Sequence, residues 1–275
     1  MHPLDPFGFG RPGFERHARL FRPEDDEKSL TGLVVAITGA NGGLGLATTM
    51  ALAARGATVF MLCRDRRRGE VAREQVRGDV RVVELDVARR ASREALVLPE
   101  LDVCVHNAGA LLDRREEVEG LESTVATHLV GPFLLSRRLK SRHTIWVSSG
   151  GGLTQKLDVD ATFQPPEPFD GVRAYARCKR AQVVVARRLG HSAMHPGWAD
   201  TGGVAQSLPT FRRLTRTILR TPAQGADTIV WLAAQQPPPA LHFWFDRQVV
   251  TEDPLRWTKS SAAEEERLMA RLEAL

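Results

Sequence analysis

One tyrosine occurs in the chain of 275 residues, Tyr175, and Lys179 follows it by four positions. Residues four apart share a face of a helix, so phenol and ammonium would project to one place. The neighbouring cation is expected to stabilise the phenolate and lower the tyrosine pKa toward the range useful for proton transfer near neutral pH. Upstream, Thr38-Gly39-Ala40-Asn41-Gly42-Gly43-Leu44-Gly45 follows directly on the apolar run 33–37. Gly39 permits a tight turn there, while Gly43 and Gly45 let backbone and helix come close to a pyrophosphate. The free amides that open a helix meet negative phosphates. Glycine loop and tyrosine together predict a bound dinucleotide opposite a tyrosine acid.

Positioning these groups requires a sheet. Apolar stretches at 33–37, 58–62, 80–85, 101–105, 144–147 and, more weakly, 192–194 read as strands. Helical stretches at 44–55, 67–77, 117–138, 174–188 and 223–234 fill the gaps. Such alternation implies right-handed βαβ units and an α/β fold, a doubly wound parallel sheet with helices on both faces. Ligands of such sheets bind beyond the carboxyl ends of the strands, where every motif lies. The domain is expected over 31–275, with segments at about 150–173 and 198–221 lying over a substrate. Residues 1–30 form an extension rich in Pro, Gly and Phe. There Phe7, Phe9, Phe14, Leu20 and Phe21 are interspersed with arginines, a composition that can touch a membrane surface. Pro and Gly interrupt any continuous amphipathic helix, however, so a strap over the chain's own domain is favoured over membrane contact by residues 1–22. Leu268, Leu272 and Leu275 lie at helical spacing in 262–275, which is expected to dock on the domain or a partner.

Apolar residues make up 43% of the chain and charged residues 26%, ordinary for a soluble globular protein. No apolar run approaches a membrane span and no secretory-signal core opens the chain, so a cytoplasmic protein is expected. Cys63, Cys104 and Cys178 lack metal-like spacing and read as reduced core residues, with no metal expected. The net charge of +5 rests on arginine. The runs 66–68 and 212–213 carry no interleaved aromatics, which argues for solvated faces and an anionic cofactor rather than nucleic acid.

The spacing T-G-x-x-x-G-x-G resembles that of the short-chain dehydrogenase/reductase superfamily. Asn107-Ala108-Gly109, Val147-Ser148-Ser149, Tyr175 with Lys179, and His195-Pro196-Gly197-Trp198-Ala199-Asp200-Thr201 follow in the superfamily's order. Segments 148–152, 168–171, 194–201 and 243–247 further resemble the family of dehydrogenase/reductase SDR family member 12, related to the retinol-dehydrogenase-like branch. The resemblance implies a single Rossmann-type domain acting on a small-molecule carbonyl or alcohol, and a homo-oligomer built through the helices near 117–138 and 174–188. It implies Tyr175 as proton donor to a carbonyl, or acceptor in alcohol oxidation. Ser149 would hydrogen-bond the reacting oxygen, with Ser148 the alternative, since a strand turns only one of them into the site. Lys179 would bind the nicotinamide ribose hydroxyls. By the same resemblance Gly39, Asn41, Gly43, Leu44, Gly45, Arg64, Asp86, Val87, Asn107, Ala108, Gly109, Tyr175, Lys179, Pro196, Gly197 and Thr201 would meet the cofactor.

The end of the second strand, Leu62-Cys63-Arg64-Asp65, bears on which cofactor. An acidic strand tip would grip a ribose 2′-hydroxyl and favour NAD. Cys63 holds that tip and Arg64 follows, whose guanidinium suits a 2′-phosphate, so NADP is favoured with NAD the alternative. Where the superfamily places a fourth catalytic residue, asparagine, this chain has His128. At an ordinary pKa of about 6.5 it could relay protons to Lys179, or its bulk could displace the water that asparagine holds. The stretch between Lys179 and His195 is tight for a helix end, a turn and a sixth strand, and 190–193 is a poor strand by propensity. Leu153, Trp198, Leu208 and Phe211 are apolar candidates for the pocket. The expected activity is NADP(H)-dependent reduction of a carbonyl, or oxidation of an alcohol, on a lipophilic small molecule. The alternative is a dinucleotide-binding regulatory or scaffold protein without turnover.

Overall fold

The structure, a computed structural model, describes residues 6–200, 213, 215–239 and 241–275. Short apolar runs rich in β-branched residues form β1 (Val34–Thr38), β2 (Thr58–Cys63), β3 (Val80–Glu84) and β4 (Leu101–His106). They pair in parallel, Val35 lying opposite Val59 on one side and Val103 on the other. A two-residue hairpin, β5 (Glu117–Val118) and β6 (Leu121–Glu122), stands apart from this sheet. The main sheet continues through β7 (Ser141–Val147) and β8 (Ser192–Met194), and ends in β9 (Phe243–Phe245) with its antiparallel neighbour β10 (Gln248–Val249). The strand order is β10-β9-β8-β7-β4-β1-β2-β3. Helices cover both faces, which explains why strand interiors such as Val35, Ile37, Val103 and Val105 are fully buried.

After three short N-terminal helices, α1 (Pro6–Phe9), α2 (Arg11–Ala18) and α3 (Pro23–Glu27), the helices are α4 (Gly43–Ala54), α5 (Arg66–Arg73), α6 (Arg90–Ala95), α7 (Ser123–Val125), α8 (Gly131–Arg138), α9 (Val159–Phe163), α10 (Gly171–Arg188), α11 (Pro222–Ala234) and α12 (Ala262–Glu273). Side-chain caps fix several starts. The Asp170 carboxylate accepts from Arg173 N at 3.0 Å ahead of α10, and capping boxes open α11 at Thr221 and α12 at Ser261. Among the described residues no helix is long and apolar enough to cross a membrane.

The structure corrects the expected helix at 117–138. Its first residues form the β5–β6 hairpin, turned by Glu119 and Gly120 with φ of 51° and 79°. Glu122 then caps α7, its carboxylate accepting from Thr124 N at 2.9 Å and Val125 N at 3.2 Å. A π-helical turn, Ala126–Val130, precedes α8. Residues 6–27 lie over the domain, with Phe9 and His17 buried. Cys63, Cys104 and Cys178 are buried and free.

Candidate active site

The site is assembled where strands end. Thr38 closes β1, and its Oγ1 accepts from Asn107 N and Ala108 N, both at 2.9 Å. Asn107 Nδ2 donates back to Thr38 O at 2.9 Å and Gly39 O at 3.2 Å. Asn107 and Ala108 thereby staple the β4 turn to the glycine loop, and Thr38 emerges as a shaping residue whose only sequence signal was its place ahead of Gly39. Gly39 has φ of 66°, and a Cβ there would lie 2.9 Å from Ala108 Cα. At Gly45 a Cβ would strike Gly39 O and Asn107 Nδ2. Gly42 precedes α4 without a side-chain cap, and among the described residues nothing beyond its chain neighbours lies within 4 Å of where its Cβ would stand. The first turn beyond it, at Gly43 and Leu44, therefore opens into space that a phosphate can fill. Backbone amides of Ala40 and Asn41 reach the Cys63 sulfur, and burial pushes that thiol up to about 11.

At the end of β2 Arg64 is exposed and, among the described residues, has no hydrogen bond or ion pair. Asp65 is engaged as the cap of α5, accepting from Arg68 N at 2.9 Å. Beyond β3, Asp86 accepts from Ala88 N at 3.0 Å, and the buried Val87 offers its carbonyl to Arg93 at 2.8 Å.

At the end of β7 the two serines separate. Ser148 is buried and donates to Lys179 O at 2.9 Å. Ser149 caps the short turn Gly150–Thr154, and its side chain lies near enough to the Tyr175 phenol to favour the phenolate. One helical turn beyond Tyr175, Lys179 places Nζ 5.3 Å from the phenol ring centroid and donates to Val147 O at 2.8 Å. Burial pulls the Lys179 ammonium down to about 7. Burial also pushes the Tyr175 phenol up to about 12, against the lowering influence of the nearby Ser149 side chain. The expected lowering of Tyr175 is thus overturned in the protein alone: desolvation outweighs the field of a cation whose own charge burial weakens.

His128 lies buried in the π-helical turn, edge-on to Tyr175 at 5.1 Å between centroids. Its Nε2 is held by Ala110, donating to the carbonyl at 2.7 Å in one tautomer or accepting from the amide at 3.1 Å in the other, while Nδ1 has no partner among the described residues. Burial first, and then Lys179, hold the imidazole at about 3. The expectation of a histidine titrating near neutrality is therefore corrected, because the ring is sealed from water. Gly109 faces this ring, and a Cβ there would run into it.

Beyond β8, Gly197 turns with φ of 72°, and its amide donates to His195 Nδ1 at 3.3 Å. Pro196 offers its carbonyl to Arg220 at 3.4 Å. Thr201, Leu208 and Phe211 lie outside the described residues. Leu153 is buried in the core rather than on a pocket wall, because the turn carrying it packs against α10. Trp198 is half-buried against Phe9 at 5.7 Å. Among the described residues, the uncapped helix start with open space at Gly42 and the unpartnered His128 nitrogen beside Tyr175 fit a nicotinamide dinucleotide laid across these strand ends.

A family model described as short chain dehydrogenase matches residues 33–156. Human dehydrogenase/reductase SDR family member 12 is 38% identical over 296 aligned positions, covering 97% of this chain and 93% of the relative. Human retinol dehydrogenase 12 is 31% identical over 229 positions, 72% of each. A solved structure of an uncharacterized protein from Mycobacterium paratuberculosis superposes with a TM-score of 0.73 at 27% identity, over 90% of this chain and 95% of that one. The 3-ketoacyl-(acyl-carrier-protein) reductase of Brucella melitensis, solved with NADH, shares the fold with a TM-score of 0.60 at 21% identity, over 76% and 93%. Coverage of nearly the whole length at 38% identity settles the lineage: this chain belongs to the short-chain dehydrogenase/reductase family.

Proposed function

We propose that this NAD(P)-dependent oxidoreductase uses NADP(H) to interconvert a carbonyl and an alcohol on a lipophilic small molecule. The observation that carries the reading is the convergence of the Ser149 side chain and Tyr175, with Lys179 one turn on, at the strand ends beside the open start of α4. A bound nicotinamide would supply the hydride chemistry. In the reducing direction Tyr175 gives its phenolic proton to the substrate oxygen, and Ser149 holds that oxygen with a hydrogen bond as its charge develops. Lys179 in its ammonium form stabilises the phenolate left on Tyr175. His128, neutral and fixed to Ala110, braces the phenol ring from its edge. The amides at Gly43 and Leu44 would hold the pyrophosphate. Arg64, exposed and unpaired among the described residues, would meet a 2′-phosphate, and Asp65 is committed to capping α5.

The lipophilic substrate class is supported by the relative named for retinol and by the half-buried Trp198 near the turn after β8. The test is NADPH oxidation against a panel of aldehydes and ketones ranging from short polar to long apolar, repeated with NADH. Turnover with NADPH preferred and rate rising with apolar length is the expected result. Cofactor binding with no turnover across the panel would favour a dinucleotide-binding scaffold instead.

A further inference from the structure

We propose that the N-terminal strap is a working part of the cofactor clamp: through Phe9 and the buried His17–Asp246–Arg220 network it holds the turn 196–198 against the nicotinamide half of the dinucleotide. The proposal rests on the dinucleotide reading above.

Arg220 is 1% exposed and ties three separate segments together. Its Nη1 and Nη2 meet the two Asp246 carboxylate oxygens at 2.5 and 2.8 Å, at the tip of the β9–β10 hairpin. Its Nε donates to Phe9 O and its Nη2 to Gly8 O, both at 2.8 Å, in the strap. Its Nη1 also reaches Pro196 O at 3.4 Å, in the turn. His17, farther along the strap, donates from Nδ1 to Asp246 Oδ2 at 2.7 Å.

Phe9 is the second contact between strap and site. Its carbonyl accepts from Trp198 N at 2.8 Å, so the strap backbone is bonded directly to the turn. Its ring lies edge-on to His195, Trp198 and Phe245, with centroids 5.0, 5.7 and 5.5 Å away. On another side the ring reaches within 3.4 Å of where a Cβ on Gly150 would stand, next to Ser149. Gly197 leaves no slack: a Cβ there would lie 2.5 Å from Arg220 Nε and 2.6 Å from Phe9 O.

Such a network is poorly explained by stability alone. A fully buried ion pair loses much of its attraction to desolvation, and well-packed apolar residues often match it. What the guanidinium adds is orientation, since its planar donors fix each partner in place. The turn it fixes follows β8, next to β7 with Ser149 and on the far side of it from β1 and β2. The strap should therefore govern the nicotinamide end of the cofactor and leave the adenosine end alone.

Phe9→Ala separates these ends when binding of NADPH is compared with that of adenosine 2′,5′-bisphosphate, which lacks the nicotinamide half. If NADH is the tighter cofactor, NADH and ADP are the equivalent pair. The whole dinucleotide is expected to bind roughly tenfold more weakly, the adenosine fragment to change by less than about twofold, and kcat to fall on the order of 10–100-fold from misplacement. Gly197→Ala, which leaves the strap residues intact but forces the turn off them, is expected to reproduce the split and decides the matter if Phe9→Ala does not fold. Equal weakening of both ligands, or no weakening of either, overturns the strap proposal while wild-type binding keeps the dinucleotide reading. Wild-type protein that binds neither NADPH nor NADH removes both.

Discussion

Burial shifts the proposed proton-transfer pair in the protein alone, with Tyr175 pushed up to about 12 and Lys179 pulled down to about 7. Below pH 7 Lys179 is charged in folded and unfolded chains alike, and the fold bears the whole desolvation penalty. Between about 7 and its ordinary value of about 10.5 the folded chain has lost that proton and the unfolded chain keeps it, so stability recovers as pH rises. Lys179→Met is therefore expected to raise Tm at pH 6–7, by less at pH 10, and to abolish turnover. Thermal melts across pH together with kcat check this, and a lowered Tm at pH 7 would sink it. Tyr175→Phe should remove nearly all turnover and leave cofactor affinity within a few-fold, since the ring still packs. A near-normal rate in that variant would mean another group moves the proton. Arg64→Ala should weaken NADPH by roughly tenfold or more relative to NADH, the worth of a charge-assisted contact. Equal loss for both cofactors, measured by titration, would remove Arg64 from that role. That Ser149, Tyr175 and Lys179 would converge at the strand ends was legible from residue types and spacing. The direction of the tyrosine shift was not, because it depends on desolvation that only the packed α10 reveals.

Among the elements, the glycine loop and the strands carrying it were legible because five or six apolar residues suffice to declare a strand. The β5–β6 hairpin and β9–β10 escaped, since strands of two or three residues are too short to show a period. The π-helical turn escaped for a different reason. It is defined by backbone bonding, and the helical spacing on either side of it is ordinary. That turn is what seals His128 against Gly109 and Tyr175. With the imidazole held at about 3, His128→Asn should leave the pH–rate profile unchanged between pH 6 and 7. A profile that moved in that window would reinstate the proton relay. Gly109→Ala should destabilise by about 1–3 kcal/mol through overpacking, and His128→Ala should relieve part of that penalty in the double variant, as expected for residues in contact. Additive losses, measured by denaturant unfolding, would show that the two do not press on one another.

On the scale of the whole molecule, the chain covers α10, the helix that carries Tyr175 and Lys179. Twelve residues of α10 are buried. Arg180, itself buried, holds Glu252 O at 2.8 Å, Thr258 O at 2.7 Å and the Asp253 carboxylate, while Leu268 and Leu272 of α12 are fully buried. A homo-oligomer through α10 would have to displace this cover, so a dimer mass in light scattering would point to another surface. The same enclosure governs acid stability. Burial holds His106, His128 and His195 at about 3 and His143 and His191 at about 4. Each is depressed below the unfolded value of about 6.5, so above that pH neither state is charged and nothing is lost. As pH falls below it the unfolded chain takes up protons that the folded chain refuses, and stability drops until the folded values are reached. Each fully buried ring contributes about 1.4 kcal/mol per pH unit in that window, so the three at about 3 together contribute about 4. Against a total stability of about 5–15 kcal/mol, a loss of about 4 kcal/mol per pH unit below 6.5 places cooperative acid unfolding between roughly pH 5 and pH 3, before those rings titrate in the fold. His195→Phe keeps an aromatic ring in the stack on Phe245 and removes one proton acceptor, so its unfolding midpoint should move to lower pH. A wild-type midpoint below pH 3, followed by far-UV dichroism, would mean that these rings reach water in the native protein.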